Sequence, residues 1–132
     1  MASTKIGFAS NESVAMSYIA GADLSGKLGY IVKADSTDGQ EVLSTASTDD
    51  FGVLADDAAE SGDPCSVVMQ GKCLVKLGAN LVAGAKFKPG ASGTAATAIA
   101  ATAGAGYMGI ILRGGSAGDL VEALVERGMV PA

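Results

Sequence analysis

The sequence predicts an all-β domain, a small sandwich or barrel, and three observations carry that prediction. From Tyr18 onward, short β-rich runs alternate with turn chemistry at close spacing, the rhythm of sandwiches and barrels. Nineteen glycines stand against three prolines, which favours many turns and short elements over long helices. The chain is also written twice, with a period of 56–57 residues. Phe51-Gly52-Val53-Leu54 leads to Gly62-Asp63 and then Val67-Val68-Met69; Met108-Gly109-Ile110-Ile111 leads to Gly118-Asp119 and then Ala123-Leu124-Val125. Upstream, Gly21-Ala22-Asp23-Leu24 matches Gly78-Ala79-Asn80-Leu81. Two copies suit one domain with an internal pseudo-twofold rather than a solenoid. The expected domain is 18–132, with repeats of about 18–74 and 75–130.

Residues 1–17 fall outside the repeat and read as an extended N-terminal arm, polar but carrying Ile6, Phe8, Val14 and Met16. Such a segment is disordered or docks on something else, and its apolar residues favour docking. In the domain, Tyr30-Ile31-Val32-Lys33 is a strand closed by a turn through Asp38-Gly39, a pair that tolerates positive φ. Glu41-Val42-Leu43 is the return strand, and Gly52-Val53-Leu54-Ala55 a brief buried one. Cys65–Met69 and Cys73–Leu77 read as two strands separated at Gln70-Gly71. Lys86-Phe87-Lys88 places Phe87 inward between two charges, a period-2 signature. Pro89-Gly90 follows as a turn, then residues 91–106 as a thin strand and a loop, since their threonines and glycines oppose helix. Tyr107–Leu112 is a strand. Leu120–Arg127 suits a short helix by its Leu120/Leu124 spacing, but the repeat pairs it with a β-branched run and decides for strand.

Composition bounds the function. At 132 residues the chain is one domain, able to remove roughly two-thirds of its unfolded surface from water. With no Trp, three Phe and three Tyr, aliphatic side chains must fill the core. The net charge of −5 argues against nucleic acid or an anionic membrane as the main partner. The charges are segregated: between Ala34 and Gly71 all are acidic, with Asp63 closing the block, and between Pro64 and Gly118 all are basic, Lys72, Lys76, Lys86, Lys88 and Arg113. Ordinary solvated loops account for this, as do complementary faces that meet between subunits. Neither a signal peptide nor an apolar run long enough to span a membrane is visible.

Catalytic chemistry has little to work with. There is no His, the commonest general base and neutral metal ligand. Cys65 and Cys73 read as buried free thiols. Gly26-Lys27-Leu28 and Gly71-Lys72-Cys73 lack the hydroxyl of a phosphate loop. Asp35, Asp38 and Glu41, with Ser36 and Thr37, resemble a loose calcium loop but miss the twelve-residue pattern, so an acidic hairpin turn is expected. Asp56-Asp57 with Glu60 and Asp63 offers paired carboxylates without a partner acid or nucleophile. The recurring Gly62-Asp63 and Gly118-Asp119 pairs fit turn chemistry, with Gly for backbone freedom and Asp for a local hydrogen bond. No catalytic, cofactor or metal residue is therefore assigned.

Gly-Ala-Asp-Leu before a Gly-Tyr-Ile-Val strand, then Phe-Gly-Val-Leu-Ala, Ser-Gly-Asp and an apolar strand ending at Gln70-Gly71, followed by a degraded second pass, resembles the capsid cement, or head decoration, proteins of tailed bacteriophages. The resemblance covers most of 18–127 and rests on glycine placement and strand rhythm. It implies a β-sandwich or β-tulip-like domain, without cofactor, on the outer capsid surface of a virion, made in the host cytoplasm. Such a protein bridges major capsid proteins and sits there as a homotrimer or homodimer. It further implies that the arm joins the capsid lattice, with Lys5, Ile6, Phe8, Val14 and Met16 as contact residues. Since adding a strand to a neighbour's sheet edge brings many backbone hydrogen bonds without large side chains, residues 3–16 are expected to order that way on a partner. The segment 91–106 departs from a strict pattern.

The main alternative is a non-catalytic surface-binding module, carbohydrate-binding or adhesin-like. Such modules commonly present Trp or Tyr platforms, and this chain offers only Tyr18, Tyr30 and Tyr107. A small enzyme or a lipoyl-type carrier is the other; Gly26-Lys27-Leu28 lacks the flanking residues a carrier lysine needs.

Overall fold

The computed structural model describes residues 13–43, 51–90, 98–104 and 106–131. These residues form nine strands and no helix: β1 (Ser13–Ala20), β2 (Ile31–Ala34), β3 (Gln40–Leu43), β4 (Gly52–Leu54), β5 (Pro64–Lys76), β6 (Lys86–Pro89), β7 (Ala98–Ala100), β8 (Gly106–Ile111) and β9 (Leu120–Met129). The all-β expectation holds, and so does the strand reading of Leu120–Arg127.

The sheet closes on itself twice. β1 pairs with β3 in parallel and with the first half of β5 antiparallel, while β3, β2, β4 and β5 follow one another, so five strands complete a ring. The second half of β5 pairs with β9, then β8, β6 and β7, and a parallel bridge from Leu77 to Ala98 closes a second ring. The architecture is two small barrels joined through one strand.

The repeat is written into the register. Tyr18 faces Cys65 and Ile19 faces Pro64; in the second barrel Val75 faces Val121 and Lys76 faces Leu120. Val53 faces Val68 and Leu54 faces Val67, as Ile110 faces Leu124 and Ile111 faces Ala123. Both Gly-Asp pairs make the same turn. Gly62 and Gly118 hold φ of 90° and 93°, a conformation that favours glycine. Asp63 Oδ2 accepts from the Glu60 N–H at 3.0 Å, and Asp119 Oδ2 accepts from the Ser116 N–H at 2.9 Å. Gly52 and Gly109 are kept for another reason. A Cβ on Gly52 would overlap Val67 and press on the Val68 carbonyl oxygen, and one on Gly109 would overlap the Leu124 carbonyl oxygen and Phe87.

Two sequence expectations need correction. Gln70-Gly71 does not separate two strands. β5 runs unbroken for 13 residues, and Gly71, at φ 102°, pairs with both Ser13 and Val125 as the strand passes from one barrel to the other. The hand-over between units thus lies a few residues before the expected 74/75 boundary. Residues 13–17, expected in the arm, belong to β1, and Ser13 Oγ donates to the Lys72 carbonyl at 2.8 Å. Along one edge this segment is paired to β5 from Ser13 onward, so it is part of the chain's own sheet and not a free arm.

Each barrel has its own interior. Ala20, Leu24, Val32, Leu54, Ala59, Cys65 and Val67 fill the first, with Tyr18, Phe51 and Met69 packed against them. Val75, Leu77, Phe87, Met108, Ile111, Ala123 and Val125 fill the second, joined by Ile31, Val53 and Val68, which point out of the first barrel. Phe87 is fully buried between its two lysines, as its period-2 pattern predicts. The thin strand expected within 91–106 is β7; Pro89, expected to turn with Gly90, instead ends β6 opposite Ala98, and residues 91–97 lie outside the described residues.

Candidate functional site

Of the five contact residues expected on the arm, Lys5, Ile6 and Phe8 lie outside the described residues. Val14 and Met16 sit on β1 and stay 51% and 48% exposed although their backbones are paired to β5. Beside them Tyr18 and Phe51 stack edge to face at 5.5 Å. Arg127, reaching back from β9, donates to the carbonyls of Met69 (2.9 Å) and Phe51. That arginine ties the end of the second unit to the first and rims a surface that remains partly apolar.

The acidic segment collects on the first unit. The loop from β4 to β5 exposes Asp57, Glu60 and Asp63, and Asp56 caps the start of the ladder by accepting from the Ser66 N–H at 3.1 Å. Asp35 opens the β2–β3 hairpin, accepting from the Ser36 N–H at 2.8 Å, and the backbone closes through Asp35 N–H to the Gln40 carbonyl at 2.9 Å. This is a turn, as expected of Asp35 and Asp38, whereas Glu41 lies beyond it on β3. Among the described residues no group of three or more His, Cys, Asp or Glu side chains is placed to hold a metal ion.

Glu41 departs from the reading of its segment as solvated acid. It is 2% exposed, inside the first barrel, and its Oε1 has no hydrogen-bond partner among the described residues. Burial, and then the nearby Asp35 carboxylate, push its pKa up to about 7. Its partner across the parallel ladder is Ala20; the matching pair in the second barrel is Leu77 with Ala98. The repeat therefore marks the site: a carboxyl stands where the other unit has a methyl.

Both cysteines are free thiols, Cys65 buried and Cys73 half-buried. Burial raises the Cys65 thiol, with Asp56 and Glu41 adding to the effect, and burial alone pushes Cys73 up to about 12. Protonated thiols are poor nucleophiles.

The second unit presents a different surface. The outward row across its sheet is Lys72, Leu124, Ile110 and Lys86, directly paired in that order. Leu74, Leu112 and Leu120 flank it, and Arg113 lies 3.8 Å from Glu122. The segregation of charge along the chain has become a segregation between barrels. Among the described residues no helix is long and apolar enough to cross a membrane.

A small double barrel of this kind defines a fold. Among known structures it is similar to the N base of the head fiber protein gp8.5 of bacteriophage phi29, with a TM-score of 0.61 over 86% of this chain and 94% of that one, at 15% sequence identity. No family model and no curated protein sequence matches the chain.

Proposed function

We propose that this chain is a structural protein of a phage virion, one that binds the outer surface of the capsid and bridges major capsid proteins. The observation that carries the reading is the fold shared with the phi29 head fiber base along nearly the whole of both chains. The surfaces agree with it. The chain offers exposed apolar side chains at Val14 and Met16 on a strand anchored to β5, next to the segment bearing Lys5, Ile6 and Phe8. The role is adhesive, needs no cofactor, and asks for no nucleic acid or membrane partner.

We therefore place the docking element before Ser13. Strand addition on a capsid partner is open to residues 1–12, because β1 from Ser13 already closes the first barrel. The test is co-sedimentation of the full chain, and of a chain lacking residues 2–12, with phage heads that lack the protein, followed by imaging of the shells. The full chain should decorate the outer surface, and the shortened chain should keep its circular dichroism while losing the shells. Failure of the full chain to bind any head lattice would refute the capsid role. Full decoration by the shortened chain would refute the role of the arm.

A further inference from the structure

The two barrels share a plan, so the positions at which their outer faces differ are informative. In the first unit the outward row of Ile31, Val53 and Val68 is buried beneath the second unit as part of its core. The matching row of the second unit is Lys86, Ile110 and Leu124, continued by Lys72, and none of these four is fully buried. Around it the second unit has become more apolar. Where the first exposes Ser17, Ala55 and Pro64, the second carries Leu74, Leu112 and Leu120, each 41–43% exposed. The fold itself does not call for that change, since the same ladder closes with the smaller residues. Exposed apolar side chains with a polar surround mark a contact surface; here Lys72, Lys76, Lys86 and Lys88 surround the leucines, and the acid set among them, Glu122, which pairs with Leu74, has Arg113 3.8 Å away.

We infer that this face docks on the first unit of a second copy of the chain, head to tail. The complement is present on the same molecule. The β4–β5 loop of the first unit exposes Asp57, Glu60 and Asp63, whereas the matching stretch of the second unit begins with Arg113 and keeps only Asp119 of those acids. The surfaces that meet are different, so the contact is heterologous and builds a ring or a chain, not a two-fold dimer. Lysines facing carboxylates steer the encounter and fix its orientation, and the leucines add apolar contact. This contact does not depend on capsid attachment.

Sedimentation velocity of the full chain, over a wide concentration range and at low and high salt, reads the proposal. The average mass should rise with concentration at low salt, and the apparent affinity should fall by about tenfold or more at high salt, where surface charges are screened. Leu74→Glu, a substitution on the outward face, should abolish association with unchanged circular dichroism. Lys72→Glu/Lys76→Glu and Asp57→Lys/Glu60→Lys should each be monomeric alone. Mixed, they should associate in a one-to-one ratio, because the acidic surface kept by one meets the basic face kept by the other, and the two reversed surfaces are complementary as well. A monomer at every concentration overturns the inference, as does association indifferent to salt or to Leu74→Glu. So does a mixture that stays apart, or association lost on removing residues 2–12, which would make that segment the occupant.

Discussion

Replacing Glu41 with Gln should remove a pH dependence of stability that the wild-type protein owes to one side chain. The carboxyl is enclosed by the first barrel and lacks a donor for Oε1, with Asp35 and the Cys65 thiol as its nearest titratable neighbours and Asp56 beyond the thiol. In the fold it holds its proton up to about pH 7, against 4.5 when solvated. Between those values the unfolded chain has lost the proton and the folded one has kept it. Raising the pH therefore favours unfolding across that window, and the effect levels off above it. The gap between the two values, at about 1.4 kcal/mol per unit, amounts to at most about 3.5 kcal/mol, or on the order of 10 °C in melting temperature for a chain of this size. Gln keeps the shape and cannot ionise. Denaturant unfolding of both proteins at a series of pH values, followed by circular dichroism, gives the difference in stability at each pH. That difference should move steadily in favour of Gln as the pH climbs through the window. Asp23, held low by hydrogen bonds from the Ser25 hydroxyl and N–H, titrates below it and cancels in the comparison. Parallel curves for the two proteins would refute the reasoning.

Two further outcomes follow from the packing. Gly109→Ala should destabilise more than Gly52→Ala, by about 3 kcal/mol against about 1–2, because a carbonyl oxygen is the closest obstacle at Gly109 and a movable valine side chain the closest at Gly52; thermal melts of the two variants check the order. Cys65 and Cys73 should both react with iodoacetamide at mildly alkaline pH at least about tenfold more slowly in the folded protein than in denaturant, as a time course by mass spectrometry would show.

Much of this was legible in the sequence because the two halves check each other. The 56–57-residue shift that aligns Gly52 with Gly109 and Gly62 with Gly118 is the shift found in the strand pairings, and it settled Leu120–Arg127 as a strand against its helix-like leucine spacing. The first strand was missed for want of pushing the same shift further. Ser13–Ala20 is polar-interleaved and weak alone, yet it lies one period before the run ending at Leu77, the strongest strand signal in the chain. Gln70-Gly71 misled because glycine in a strand reads as a break, whereas here it bends a strand that continues. Glu41 was hidden by its company: an acid among Asp35, Asp38 and other carboxylates looks solvated, and only the three-dimensional ring turns its side chain inward. No sequence signal short of its alignment with Ala98 would have found it. The face of Leu74, Leu112 and Leu120 became visible once the two units were laid on one another.

The continuous β5 strand also governs how the molecule comes apart. Its first half completes one barrel and its second half the other, and Gly71 is paired on both sides. Opening either barrel frees half of a strand the other needs for closure, so neither half is an independent folding unit despite the duplication. Unfolding should proceed as one cooperative event, without a stage in which a single barrel survives. Its pairings also join residues far apart in sequence, such as Ser13 with Gly71, so folding should be slow for a protein of this length. The duplicated halves gain a shared fate.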